Sequence, residues 1–346
     1  MTRLDRLGAT LERPLLVTTP SNVVYLTGFR SSNCALLVAP GGVTTLYTDF
    51  RYADAAQGVA GVTFVQTRRD VVGALAELLA GDEVEVEAAN LTVARHDVLT
   101  GGGVRTVAGG GHVEALRAIK DSKELEAIRK ACAISDRVFA ELAREQLSGR
   151  TEREVAWWVE RRLREEGGEG LSFPPIVASG PNGAKPHAVP GDRIIGRGEL
   201  VTVDMGCIAD GYYSDCTRTF ATGTVTGELA EIYALCEAAQ LDGLAAVRAG
   251  ESGKDVDAAS RVKIEAAGRA DQYGHGLGHG VGLEIHEAPT LRPESTDTLA
   301  AGNVVSVEPG IYVPGIGGVR IEDLVTVTDD GCEIFTRYTK ELVEVG

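Results

Sequence analysis

Nothing in this sequence is apolar for long enough to cross a bilayer, which takes roughly 20 consecutive residues. Basic residues are scarce: 34 Lys and Arg stand against 50 Asp and Glu, a formal net charge of −16. Nucleic acids and anionic membranes are bound through positive charge, so neither is expected as a partner. The six cysteines (Cys34, Cys132, Cys207, Cys216, Cys236, Cys332) are scattered, with no two-residue pairing. That excludes a zinc finger or disulfide framework and leaves reduced thiols as the expectation. The opening residues MTRLDRLGATLERP carry charge throughout and no apolar core. No secretory signal is expected there, and the expected location is the cytoplasm. A phosphate-cradling glycine loop is missing from the first third. Gly101-Gly102-Gly103 and Gly109-Gly110-Gly111 instead bracket a short strand, as loops near the end of a domain.

What is present suits a two-domain globular chain of 346 residues, 44% apolar and 24% charged. From Pro14 to about His112, apolar strands are expected at Leu15–Thr18, Val23–Thr27, Cys34–Val38, Val43–Thr48, Val62–Gln66 and Val84–Glu87. Helical periods lie between them near Tyr52–Gln57, Val71–Leu79 and Val93–Leu99. This is an α/β domain, placed at residues 1–115. A second domain, placed at 122–346, opens with a long amphipathic helix capped by Asp121 or Ser122. The capping box Thr151-Glu152-Arg153-Glu154 starts another helix. Two more helices follow, at about Gly227–Arg248 and Gly253–Ala267, and strands lie between and after the pairs. The pattern predicts a curved antiparallel sheet with two helix pairs, an α+β class and a crude internal duplication.

The stretch VTVDMGCIADGYYSDCTRT, Val201 to Thr219, reads as a β-hairpin around Asp210-Gly211, a dipeptide favoured in type I′ turns. With that pair as the loop, Ala209 faces Tyr212, and Met205 and Gly206 fall opposite Cys216 and Asp215. Asp204 then shares a face with Asp215, diagonal to it and within reach of one ion. Two carboxylates on a covered face are costly unless a cation neutralises them. Cys207 and Cys216 fall on the other face as packing residues. Alone, the hairpin is equally compatible with one turn aspartate and one solvated aspartate.

Downstream residues weigh against that bland alternative. Glu308 ends the run VVSV before the turn signal Pro309-Gly310. Glu322 lies inside VRIEDLVTV, which reads as one buried strand, and Arg320 two residues earlier shares its face. His279 sits among Gly274, Gly276, Gly278, Gly280 and Gly282, a density that lets backbone approach a ligand closely. Carboxylates with one imidazole and no thiolate suit Mn²⁺, Co²⁺ or Zn²⁺. The charges of Asp204, Asp215, Glu308 and Glu322 balance two divalent ions.

The order Asp, Asp, His, Glu, Glu stands in the contexts VTVDMG, GYYSDCTRT, GHGLGHGVGLEIHEAP, SVEPGIY and GVRIEDLVTVT. On these motifs the chain resembles the creatinase/prolidase/aminopeptidase P family of pita-bread metallopeptidases, which also contains methionine aminopeptidases. The segments Ser122–Glu145, SGPNGAKPHA, YLTGF and LYTDFRY match as well, so the likeness covers essentially the whole chain. The resemblance implies an N-terminal creatinase-like α/β domain, a pita-bread catalytic domain and two divalent metal ions, Mn²⁺ first with Co²⁺ or Zn²⁺ as alternatives. It implies that Asp215 and Glu322 bridge the ions, that Asp204 completes one shell, and that His279 and Glu308 complete the other. Glu308 also shuttles a proton. His275 lines the pocket, His286 contacts the scissile peptide group, and His187 closes the pocket from across the site. Arg320 orients Glu322 and faces the pocket. His96 and His112 receive no role.

Within the family, the N-terminal domain and the Arg-Ile-Glu-Asp context of the last glutamate favour the proline-directed branch over methionine aminopeptidases. Creatinase shares the fold without the metal set, and some relatives are metal-free binding modules; the intact ligand set argues for a peptidase. The expectation is a homodimeric Xaa-Pro dipeptidase acting on small peptides with proline second. The alternative is an aminopeptidase P, which removes the first residue of longer peptides. A dipeptide's carboxylate needs a cationic contact, for which His187 and Arg320 are the candidates. Arg30, in the loop FRSSN, is a candidate for the element that blocks longer peptides.

Overall fold

The computed structural model describes residues 1–346, which divide into two compact units, Met1–Arg117 and Ala118–Gly346. None of the helices is long and apolar enough to cross a membrane. The first unit runs α1 (Arg3–Gly8), β1 (Leu15–Val17), α2 (Pro20–Thr27), β2 (Cys34–Val38), β3 (Thr44–Asp49), α3 (Ala53–Gln57) and β4 (Thr63–Thr67). It continues with α4 (Val71–Leu78), β5 (Glu83–Glu87), α5 (Val93–Gly101), β6 (Arg105–Gly109) and α6 (His112–Ala118). The strands form one mixed sheet in the order β4-β3-β2-β1-β5-β6. Leu16, Ala35, Leu75, Val86 and Leu99 pack in its core.

One expectation for this unit fails. Val23–Thr27, expected as a strand, is the C-terminal part of α2. Pro20 presets the first helical turn, Gly28 closes it in the left-handed region at φ 71°, and Val23 and Leu26 are buried at helical spacing. Those end signals outweigh the β-branched Val23-Val24 pair. Two further helices were not expected: α1, fixed by a reciprocal Thr2–Asp5 capping box, and α6. Arg30 is exposed just beyond α2.

The second unit contains α7 (Ser122–Leu142), α8 (Glu152–Glu165), β7 (Gly170–Leu171), β8 (Ile176–Ser179), β9 (Leu200–Met205), β10 (Cys207–Ala209), β11 (Tyr212–Tyr213) and β12 (Cys216–Ala221). Then come α9 (Glu228–Ala246), α10 (Gly253–Ala266), β13 (Gly278–Gly280), β14 (Glu287–Leu291), β15 (Val304–Val307), β16 (Gly310–Val313), β17 (Gly317–Arg320), β18 (Asp323–Val327) and β19 (Cys332–Ile334). All strand pairs here are antiparallel, in the orders β12-β9-β8, β11-β10-β7, β14-β13-β15-β18-β19 and β16-β17. With the helix pairs α7–α8 and α9–α10, this is the predicted α+β class. Asp121 is the N-cap of α7, accepting from the amides of Lys123 and Glu124. The buried faces of α7 and α8 meet Val177, Val203, Met205, Cys207 and Cys216 from the sheets. All six cysteines are free, and Cys207 and Cys216 are indeed packing residues.

The hairpin has the expected register: Ala209 pairs with Tyr212 and Met205 with Cys216. Asp210 and Gly211 both take positive φ, 49° and 81°, as a type I′ turn requires. One other expected strand is broken. VRIEDLVTV splits at Ile321-Glu322 between β17, which pairs with β16, and β18, which pairs with β15. The run VVSV ends at Glu308 as expected, and Pro309, which offers no ladder N–H, separates β15 from β16. In HGLGHGVGLEIHE only Gly278–Gly280 is strand before β14 begins at Glu287.

Phe139 lies at the centre of the larger core, fully buried and stacked on Tyr338 at 5.5 Å between ring centroids. Phe139→Ala should cost about 3–5 kcal/mol by denaturant unfolding. Metal content per folded molecule should not change, because the aromatic cluster lies in the helix-facing core.

Candidate metal centre

Three of the four acidic side chains sit where a strand starts or breaks, and the fourth lies in a regular strand. Asp204 lies in β9 opposite Thr217, and Asp215 lies just before β12 begins. Glu322 occupies the break between β17 and β18, where its amide donates to Thr217 O at 3.1 Å. Glu308 occupies the break after β15, its amide donating to Leu277 O at 2.8 Å. His279 comes from β13. There Gly278 passes so close to β15 that a Cβ would collide with Ser306 O, so only glycine fits.

The strands and their breaks together gather five predicted residues. One carboxylate oxygen from each of Asp204, Asp215 and Glu322 lies within 4.8 Å of the others, and all three residues are buried. His279 Nε2 stands 3.2 Å from Glu308 Oε1 and 3.7 Å from Asp215 Oδ2. Its Nδ1 faces the Gly280 carbonyl at 3.1 Å and donates to it, which leaves Nε2 as the nitrogen aimed at the acids. Burial opposes the charged form of His279, but the hydrogen bond to Glu308 raises its pKa against that effect. Ser306 Oγ donates to Glu308 Oε1 at 2.9 Å. Arg320 is the one buried cation against the four acids.

Burial raises the pKa of Asp215 and Glu322 well above the carboxylate range, and the neighbouring carboxylates add to the rise. Asp204 is also raised, chiefly by burial. Burial opposes ionisation of Glu308 too, but the hydrogen bond and charge of His279 hold it down at about 2. Asp204 Oδ1 and Glu322 Oε1 are buried with no hydrogen-bond partner. Orphaned carboxylate oxygens, mutual repulsion and an imidazole nitrogen aimed at the acids together fit divalent cations of the hard or borderline kind.

Arg320 departs from expectation. It does not bind Glu322: Nη2 donates to Asp204 Oδ2 at 2.6 Å. Glu322 Oε2 is held instead by Thr217 Oγ1 at 2.8 Å. The break at Ile321 removes the simple alternation that put Arg320 and Glu322 on one face. Arg320 Nε donates to Thr217 Oγ1, and Nη1 donates to Pro186 O and Tyr312 Oη. With every nitrogen engaged and 4% exposure, it is no free contact for a substrate carboxylate.

The remaining histidines occupy different positions. His275 Nε2 accepts from Tyr312 Oη at 2.9 Å, and its Nδ1 donates to Gly276 O at 2.7 Å. Burial lowers its pKa. His286 is exposed, with its ring edge-on to His279 at 4.3 Å between centroids. Burial and then the charge of His279 lower its pKa. His187 is exposed and follows Pro186, whose carbonyl accepts from Arg320 Nη1. His96 bonds Thr106, and His112 bonds Glu85, within the first unit.

Three contributors escaped the sequence analysis: Thr217, Ser306 and Tyr312. Thr217 and Ser306 each lie two residues from a predicted ligand, on the same strand face, so period-two alternation carried the signal. Tyr312 is reached only through tertiary contact and had no such signal.

Residues 126–329 match the model of metallopeptidase family M24, and residues 4–119 match the creatinase/prolidase N-terminal domain. A Bacillus subtilis protein named only as a peptidase is 38% identical over 337 residues, 95% of each chain. Among solved structures, an Xaa-Pro dipeptidase from Bacillus anthracis superposes with a TM-score of 0.94 at 35% identity, covering 99% of each chain. An X-Pro aminopeptidase from Thermotoga maritima superposes with a TM-score of 0.87 at 31% identity, covering 96% of this chain and 97% of that one.

The acid cluster predicts how the metal-free protein responds to pH. In the fold, Asp215 and Glu322 keep protons that the unfolded chain releases near pH 4. Stability from these two groups is therefore present below the unfolded pKa and lost as pH rises toward their raised folded values. Glu308 acts oppositely and in another window: its contribution is lost as pH falls through about 2. Metal-stripped wild type should lose stability relative to Asp215→Asn as pH rises above the unfolded carboxylate range of about 4. Parallel denaturation midpoints for the two proteins would contradict the assignment.

Proposed function

The chain belongs to metallopeptidase family M24, and from that premise we propose that it is a dinuclear Xaa-Pro dipeptidase. The observation that carries this reading is the gathering of Asp204, Asp215, His279, Glu308 and Glu322 around orphaned carboxylate oxygens. Asp204, Asp215, His279, Glu308 and Glu322 would together hold two divalent ions, Mn²⁺ in our reading. Bound ions supply Lewis acidity toward the peptide carbonyl and acidify water.

The chain's own groups do the rest. Arg320 and Thr217 keep Asp204 and Glu322 pointing inward. Glu308 carries the proton lost by the attacking water to the prolyl nitrogen as the C–N bond breaks. That nitrogen belongs to a tertiary amide and brings no hydrogen of its own. His286, whose ring packs edge-on against His279, would donate to the carbonyl oxygen as charge develops on it. His275, held by Tyr312, lines the pocket wall. His187, which is exposed, is the candidate for the carboxylate of a dipeptide.

The likeness to the Bacillus anthracis dipeptidase supports dipeptide selectivity. The likeness to the Thermotoga maritima aminopeptidase keeps a second reading open, in which longer peptides are trimmed before proline.

Comparing kcat/KM for Ala-Pro, Ala-Pro-Ala and Ala-Pro amide at one Mn²⁺ concentration separates the readings. We expect a strong preference for Ala-Pro. Equal or faster cleavage of the tripeptide selects the aminopeptidase, and cleavage of Met-Ala-Ser alone refutes proline specificity. His286→Ala should lower kcat by about a hundredfold or more while metal content holds. Parallel loss of metal would make it a structural residue instead.

A further inference from the structure

Glu152 is a carboxylate with no exposed surface, in the first turn of α8. It takes no part in that helix's capping box, which is formed by Thr151 and Glu154. Its partners lie on the segment that carries His187. Oε1 accepts from the amide and hydroxyl of Ser179, at 2.9 and 2.8 Å. Asn182 Nδ2 donates to both oxygens, at 3.2 and 3.1 Å, and the Gly191 amide donates to Oε2 at 3.4 Å. Ser179 Oγ also accepts from Arg193 Nη1 at 2.6 Å, which directs its own proton to Glu152. Backbone contacts add to the hold: the amides of Glu152 and Arg153 donate to the carbonyls of Arg193 and Gly191.

The chain leaves this residue at Ser179 and returns to it at Gly191. Between the two, Pro186 O accepts from Arg320 Nη1, the guanidinium that also holds Asp204. The next residue, His187, is exposed and has no hydrogen bond of its own fixing its ring. A buried acid whose every bond closes one loop costs desolvation that helix formation alone does not require. We propose that Glu152 is a positioning residue that clamps both ends of the 180–190 loop and so sets where His187 stands over the site. This rests on the role given to His187 above.

Glu152→Gln tests it with almost no change in volume. Each oxygen now accepts only from donors, so the amide group of glutamine must set a donor against a donor at one end of the loop. Metal content should match wild type, and amide hydrogen exchange should accelerate across residues 180–190 while α8 stays protected. With Ala-Pro, kcat/KM should fall about ten- to a hundredfold. His187→Ala and the Glu152→Gln/His187→Ala double variant should agree within about twofold, because the clamp acts through a side chain already removed.

Additive losses, or exchange across 180–190 that stays at the wild-type rate, would overturn the proposal. If His187→Ala leaves turnover intact, the role of His187 fails, and loop exchange alone then decides whether Glu152 is the clamp. Should Glu152→Gln fold poorly, Asn182→Ala removes the bond shared by both oxygens and must give the same exchange pattern.

Discussion

Four carboxylates packed into one buried volume, with one guanidinium among them, cannot all carry charge unless cations enter. The local structure of the second unit follows from that constraint. Strands that ran straight would point Glu308 and Glu322 along a ladder; instead each falls at a break, where the chain changes partners and the side chain turns inward. Gly278 lets β13 close on β15 so that His279 reaches the acids. Arg218 lies behind the site, fully buried and paired with Asp323 at 2.8 Å. It also donates to the Glu322 carbonyl, satisfying a backbone group that the broken ladder leaves open. Removing one partner of such a pair costs about 3–5 kcal/mol, so the break is held by strong contacts on its far side.

The hairpin was fully legible because two signals agreed: the Asp-Gly turn fixed its register, and alternation then fixed which face held the aspartates. The five clustered residues were legible as charge misplaced among apolar strand residues. Their mutual contacts were not. Arg320 reads as a neighbour of Glu322 only if the strand continues through Ile321, and it does not. Its true partner, Asp204, is remote in sequence. In the first unit, α2 was hidden by a pair of valines whose β preference outvoted the proline and glycine at its ends. Glu152 carried no signal at all. In sequence it belongs to a capping motif, and only the fold brings Ser179, Asn182 and Gly191 to it.

On the proposed function, selectivity belongs to the least regular parts of the chain. Strands and the breaks between them place the acids and His279, while His187 and His286 come from loops and are exposed. Arg320 is engaged by Asp204, Thr217, Tyr312 and Pro186, so in that reading a substrate carboxylate is left to His187. The metal centre would then supply hydrolysis, and the loops the choice of peptide.

The central claim is that the acid cluster is built for two divalent ions. Calorimetric titration of the metal-free protein with Mn²⁺, repeated in buffers of different ionisation enthalpy, tests it most directly. The account predicts two ions per chain and proton release on binding, since Asp215 and Glu322 hold protons until metal displaces them. Saturation at one ion, or binding with no proton released, would contradict it.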